Sequence, residues 1–228
     1  MFPPLDIPCL YKSFDAPLTS IDCGQMCSPF HPDGLPYCCD ICQAVPVVYR
    51  QEWQYLQSAT GLWHVYRGDE CPAQPADPAE LEDETPSYML LLACRGPSEC
   101  SRDFRSISCR QFPFFPYITS RDRFIGLAYH WDFEPVCWVI SNLWAVTAAF
   151  RSEFVHFYDG LFALWEEDFD SYAITSEDMR THFSSIKRRI PLLHRNGGYY
   201  LLSPESEKLQ PVSPERFKKF DPYLTPSH

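Results

Sequence analysis

The sequence predicts an α+β protein, with an irregular, cysteine-rich, metal-stapled core of short strands followed by a helical C-terminal part. Three observations predict it. The chain of 228 residues holds 11 cysteines, most of them in two groups between residues 23 and 109. Short apolar runs rich in β-branched and aromatic residues interrupt the same half of the chain. Beyond residue 141, apolar side chains recur at steps of three and four, the period of a helix face. These features divide the chain into a cysteine-cluster region, 1–137, and a helical region packed on it, 138–228.

In chain order, residues 1–20 read as extended and proline-rich. "AVPVVY" (44–49) reads as a short strand that Pro46 confines to a sheet edge. "RQEWQYLQ" (50–57) reads as a short helix with Trp53 and Leu56 on one side. The acidic, proline-rich stretch 71–87 reads as a solvated loop separating the two cysteine groups. "SYMLLLAC" reads as a buried strand ending at Cys94, and "RFIGLAYHWDFEPVC" as another ending near Cys137. From Ser141 to about Trp165, the positions Leu143, Val146, Phe150, Phe154, Phe157, Leu161, Leu164 and Trp165 trace a helical stripe. Glu166, Glu167 and Asp168 then read as a solvated charge run at a helix end. "TSEDMRTHFSSIKRRI" reads as a second helix. Ser176 is its expected N-cap, Glu177 and Asp178 stand in the first turn, and Lys187, Arg188 and Arg189 in the last. "LLHRNGGYYLL" reads as a hairpin turning at Asn196-Gly197-Gly198. "SPERFKKF" reads as a final short helix capped by Ser213, with Pro214 at its first position.

Composition excludes several classes of function. Lys and Arg number 19 against 30 Asp and Glu, a net charge of -11, which is the wrong sign for nucleic acid or an anionic membrane surface. A hydrophobic content of 45% and an aromatic content of 16% argue against overall disorder. "MFPPLDIPCL" has neither the basic n-region nor the apolar h-region of a secretory signal. The best candidate for a membrane span, "VCWVISNLWAVTAAF", is broken by polar residues and then by Arg151 and Glu153. The expectation is a cytoplasmic chain whose partner is an unidentified protein or small molecule.

In a reducing compartment the cysteines are not expected to form disulfides, and an odd number cannot all pair within one chain. Metal ligation is the expected use, because thiolates suit soft divalent metals and iron–sulfur clusters. Cys23-x3-Cys27 and Cys39-x2-Cys42 each aim two sulfurs from one tight turn. Cys38 and Cys39 are adjacent, so in an extended segment they point to opposite sides. Cys94, Cys100 and Cys109 form the second group, and Cys137 adds a further ligand. The supply exceeds the four ligands of one tetrahedral zinc or one 4Fe–4S cluster and suits two sites. Zinc and an iron–sulfur cluster both remain open as the cofactor. The two groups are expected to converge across the acidic stretch.

The alternative leaves the thiols structural or redox-active in their own right. Cys9 and Cys71, each alone beside prolines, read as small buried hydrophobes. His31, four residues after Cys27, reads as a loop histidine with metal ligation as its alternative, and His130 as part of the core or a neighbour of the ligands. Arg110 reads as a fixed cation that lowers the pKa of nearby thiolates and offsets cluster charge. Cys109, between Arg105 and Arg110, is the thiolate expected to gain most from positive charge, and "RQFPFFPY" after it reads as an apolar wall. The radical-SAM spacing C-x3-C-x2-C starts at Cys23 and Cys27 but meets Phe30 at its third position. Neither a P-loop nor H-E-x-x-H occurs. Two functions compete: a metalloprotein with redox or group-transfer chemistry, and a zinc-stapled domain whose helical part binds a protein.

"CGQMC…CCDICQAVPVVYRQEW", followed by "C…CSRDFRSISCRQFPFFP", resembles the YkgJ-type cysteine-cluster family, described as a zinc- or iron-chelating domain. The family's pattern is a cysteine pair, a Cys-Cys doublet, an apolar stretch leading to a Glu, and spaced cysteines ending in an Arg-Pro-x-x-Cys-Arg-x-x-Pro-like signature. Here the doublet is Cys38-Cys39, the Glu is Glu52, and the signature is Arg105, Cys109, Arg110 and Pro113. The resemblance covers about residues 21–117. It implies a zinc or cluster site with Glu52 and Arg110 beside it, and extends distantly to flagellin lysine N-methylases. Ser106 stands where the family usually has proline. Cys42 is extra to the pattern, so which of Cys38, Cys39 and Cys42 share a metal stays open.

Overall fold

The computed structural model describes residues 3–72 and 77–224, which form both helices and antiparallel sheets, so the α+β class holds. Each of two compact units draws on two stretches of chain: Met1–Ser13 with Gly24–Phe112, and Phe14–Cys23 with Pro113–His228. The expected division was at 137/138; the units divide the chain at 112/113, and ten residues near the N-terminus belong with the second unit.

In chain order the elements up to Phe112 are α1 (Ile7–Ser13), α2 (Cys23–Cys27), β1 (Val47–Tyr49), α3 (Arg50–Ala59), β2 (Trp63–Val65), α4 (Pro78–Glu84), β3 (Met89–Cys94) and α5 (Ile107–Gln111). Cys23, the first residue of α2, is grouped with the second unit. β3 is the middle strand of an antiparallel sheet, pairing Met89–Leu91 with β1 and Leu92–Cys94 with β2. Pro46 precedes β1, and its carbonyl accepts from Leu92 N at 2.9 Å, so the proline costs the ladder no donor. Three expectations are corrected here. Residues 7–13, read as extended, are helical and bury Ile7 and Tyr11. Part of the acidic stretch is α4, whose start is capped by Asp77 accepting from Ala79 N; residues 73–76 of that stretch lie outside the described residues. The buried residues of α3 are Glu52 and Leu56, while Trp53 is half-buried.

The second unit contains β4 (Phe114–Ile118), β5 (Phe124–Tyr129), α6 (Trp138–Ser141), α7 (Ala148–Phe162), α8 (Glu166–Ser185), β6 (Ile190–His194), β7 (Tyr199–Leu202) and β8 (Leu209–Pro211). Its five strands form one antiparallel sheet in the order β4-β5-β6-β7-β8. Met179 and Phe183 of α8 pack on Phe115, Tyr117, Ile125, Ala128, Ile190, Leu192 and Leu202. Pro116 is tolerated because β4 is an edge strand. Pro191 is tolerated in β6 because β5 pairs only with Leu193 and His194. Gly126 is required where β5 meets β6: a Cβ there would lie 2.3 Å from Leu193 O and 2.8 Å from His194 Cα.

Residues 138–228 were expected to be helical apart from one hairpin, and beside α6, α7 and α8 they carry β6 and β7, which form that hairpin, and β8. "RQFPFFPY", expected as an apolar wall, leads into β4, every residue of which is buried. β5 stops at Tyr129, well short of Cys137, because a 3-10 turn over Trp131–Phe133 follows. The stripe from residue 141 is broken by a turn at Leu143–Ala145. α7 starts at Ala148, where Thr147 Oγ1 accepts from Phe150 N at 3.1 Å. Ser176 is no cap: it lies within α8, where its hydroxyl donates to Tyr172 O and accepts from Ile118 N of β4. The Glu166–Asp168 run forms the first turn of α8, where negative charge complements the helix dipole, and Asp168 is fully buried rather than solvated. α8 ends at Ser185, so Lys187, Arg188 and Arg189 lie beyond it. The hairpin at Asn196-Gly197-Gly198 is as expected: His194 N donates to Gly198 O and Gly198 N to Asn196 Oδ1. "SPERFKKF" holds only a 3-10 turn at Pro214–Arg216, and Ser213 makes no side-chain cap. Among the described residues no helix is long and apolar enough to cross a membrane.

Candidate functional site

Glu52 enters the first turn of α3 facing inward, and it is fully buried. Its Oε1 accepts from the Tyr11 hydroxyl and from Ile107 N, both at 2.7 Å. One carboxylate thus ties α1 and the start of α5 to α3. Its Oε2 is buried, and the Tyr49 backbone joins Tyr11 and Ile107 in stabilising the charged form. Burial pushes Glu52 up to about 7, against the opposing hydrogen bonds from Tyr11 and Ile107 and the Arg110 charge. Burial and the Glu52 charge raise Tyr11 in turn. Arg110 lies 4.3 Å over the Tyr11 ring. It donates to the carbonyl oxygens of Arg105 and Arg102, both at 2.9 Å, and of Asp103 at 3.2 Å. Arg110 therefore fastens the segment leading into α5.

That segment connects two of the cysteines. β3 ends at Cys94, and a turn in which Cys100 N donates to Pro97 O leads to Cys100. Ser106 then caps α5, its Oγ accepting from Cys109 N at 3.3 Å. Cys39 comes from the 3-10 turn Tyr37–Cys39. Burial pushes the Cys109 thiol up to about 12; Ser106 opposes this, and the charges of Cys94, Cys39 and Cys100 add to it. Burial also raises Cys94, offset by the Gly96 backbone and reinforced by Cys39 and Cys100. Arg105 donates its Nε–H to Cys100 Sγ at 3.3 Å. Burial works against the Arg105 charge, but Cys100, Cys39 and Cys109 outweigh it and raise the arginine's pKa.

The loop before Cys42 is held by Asp40. Its Oδ1 accepts from Cys42 N at 2.9 Å, and its Oδ2 lies 3.1 Å from His31 Nε2. His31 is buried, and its Nδ1 accepts from Asp33 N, so a neutral ring carries its proton on Nε2 and donates it to Asp40. Cys42 is joined to Cys71 by a disulfide, with the two Cα atoms 5.1 Å apart. The C-x2-C pair at Cys39 and Cys42 is therefore not a shared ligand pair.

The structure overturns the metal expectation. Among the described residues, no group of three or more His, Cys, Asp or Glu side chains is placed to hold a metal ion. Zinc, an iron–sulfur cluster and the zinc-stapled alternative are accordingly set aside. The physical reasons are particular. Cys42 is in the disulfide. Cys27 is buried and donates its thiol to Gly24 O. Cys38 is exposed. Cys23 and Cys137 belong to the second unit, where Cys137 N donates to Phe133 O just before α6. Of the expected convergence, Cys94, Cys39 and Cys100 act on Cys109 electrostatically, without forming a metal-sized group among the described residues. Cys71 is buried as expected but disulfide-bonded, and Cys9 is exposed. The expected pull of positive charge on Cys109 gives way to burial, since Arg105 serves Cys100. Glu52 and Arg110 do flank the segment that carries Cys109, through Tyr11 and Ile107.

No family model matches the chain, and neither a curated protein nor a solved structure matches it.

Proposed function

We propose that the first unit is a thiol–disulfide redox module. The observation that carries this reading is Cys100, half-buried and hydrogen-bonded by Arg105; the Cys100 charge also acts on Cys94 and Cys109. Reactive cysteines sit in electropositive, partly exposed surroundings, and a neighbouring thiol lets oxidation end in an internal disulfide. In exchange with a low-molecular-weight disulfide, a sulfur of the group attacks one sulfur of the incoming bond, forming a mixed disulfide and releasing one small thiol. A second sulfur of the group then displaces the other small thiol and closes an internal disulfide. Two electrons pass from the protein to the small molecule. Nine of the eleven cysteines, all among the described residues, are thiols, which supports a reducing, cytoplasmic setting with a small-molecule partner. The test is equilibration in glutathione buffers of graded potential, followed by thiol counting and peptide mapping. The expected result is the loss of two thiols per chain, with a cross-link inside the group Cys39, Cys94, Cys100 and Cys109. Four thiols that stay reduced across the whole range would end the proposal.

A further inference from the structure

We infer that the Cys42–Cys71 disulfide is a reducible clasp, opened by a small thiol that attacks Cys42, and that its opening frees the loop 28–44 from the sheet of β1, β2 and β3. This device works whether or not the thiol group above exchanges. Nine further cysteines of the chain are thiols, the pattern of a reducing setting, where a disulfide is transient or redox-sensing rather than permanent. The two ends of the bond are anchored differently. Cys71 stands on the sheet side. The carboxylate of its neighbour Glu70 accepts from Arg67 N through both oxygens at 3.0 Å and lies 3.1 Å from Nε2 of His64 in β2, and Tyr66 N donates to Leu91 O of β3. Cys42 stands in a loop that bonds to itself. His31 N donates to Ser28 O, Gly34 N to His31 O, Cys39 N to Pro36 O, Asp40 N to Tyr37 O, and Gln43 N and Ala44 N both to Asp40 O. The Tyr37 hydroxyl donates to Phe30 O, and the Asp40 carboxylate takes Cys42 N and faces His31 Nε2. None of these bonds needs the disulfide, so on reduction the loop keeps its own turns and loses its covalent tie to the sheet. The loop carries Cys38 and Cys39, and opening the clasp moves both.

Burial chooses the sulfur that is attacked. Cys71 is 2% exposed, whereas Cys42 is half-buried. Opening takes two thiols. The thiolate of the first attacks Cys42 Sγ; a bond forms to the small molecule's sulfur, the Cys42–Cys71 bond breaks, and Cys71 leaves with the electron pair and takes a proton. The second attacks the small-molecule sulfur of the mixed disulfide; a small disulfide is released and Cys42 becomes a thiol. Two electrons pass from the two thiols to the protein.

The experiment treats the full chain with 2-mercaptoethanol, quenches with acid, maps adducts and alkylated thiols by mass spectrometry, and follows amide hydrogen exchange before and after reduction. The expected results are a mercaptoethanol adduct on Cys42 in about tenfold excess over Cys71, and exchange in residues 28–44 faster by about tenfold on reduction, with residues 89–94 and 190–202 little changed. Cys71→Ala should show the faster exchange with no thiol added; should that variant fail to fold, the parent chain before and after reduction gives the same reading. Adducts mainly on Cys71, a disulfide that resists excess thiol while the protein stays folded, or equal exchange of residues 28–44 in the two states would overturn the inference.

Discussion

A buried carboxyl group that titrates near neutrality makes stability depend on pH where most proteins are insensitive. Glu52 has an ordinary value of 4.5 and is pushed up to about 7 by burial. Between those values the folded protein holds a proton that the unfolded chain has released. The stabilising contribution is therefore complete below about 4.5 and is lost as pH rises through about 7. The shift corresponds to roughly 3 kcal/mol. Glu52→Gln keeps an acceptor for Tyr11 and Ile107 but does not titrate. Chemical unfolding of both proteins between pH 4.5 and 8 should show the variant gaining on the parent by about that amount. A constant difference across the range would mean that Glu52 ionises normally. The sequence made Glu52 legible as a position but not as a buried acid, because its partners stand 41 and 55 residues away. Arg151 is a similar case. In sequence it only interrupts an apolar run; in the fold it is buried and donates to His194 O and Gly198 O, bracing the hairpin.

At the scale of elements, local signals were reliable where one element settles its own boundaries. β1, α3, β3 and the Asn196-Gly197-Gly198 hairpin follow from β-branched runs, a short helical period and a turn that favours glycine. The signals failed where a neighbour decides. Ser176 resembles an N-cap in sequence, yet α8 runs through it and turns its hydroxyl to Ile118 of β4. "FFPYI" is a strand because β5 pairs with it and α8 covers it, which no spacing within five residues discloses. Gly126 gives a direct test of the β5–β6 contact. Its neighbours in that direction are backbone atoms, which cannot swing aside as a side chain would. Gly126→Ala should cost about 2–3 kcal/mol and lower the midpoint of thermal unfolding. A midpoint unchanged within a degree would mean the strands separate there without penalty.

At the scale of the whole molecule, the α+β class was legible in the sequence. The use of the thiols was not. Metal ligation and a four-sulfur group with one arginine share a spacing pattern and differ in burial and hydrogen bonding, neither of which spacing records. The division into units was also hidden, because it depends on Phe14–Cys23 belonging with residues a hundred positions later. Phe14 is buried, with its ring centre 5.4, 5.9 and 5.2 Å from those of Phe150, Phe154 and Phe157. Thr147 Oγ1 donates to Pro17 O, and Thr19 bridges to Val146. Phe14→Ala should therefore cost about 3–5 kcal/mol, read as earlier unfolding of residues 113–224 by hydrogen exchange. Loss confined to residues 24–112 would contradict the grouping. The same interlacing bears on how the protein is made. Phe14–Cys23 leaves the ribosome with its own unit still unmade, and at roughly 5–20 residues per second that wait is on the order of ten seconds. Meanwhile the segments of the first unit emerge on both sides of it and can close around the gap. The newborn chain must keep one aromatic segment unspent through the completion of a neighbour, so synthesis rate, and any chaperone that shields Phe14, should govern the yield of folded protein.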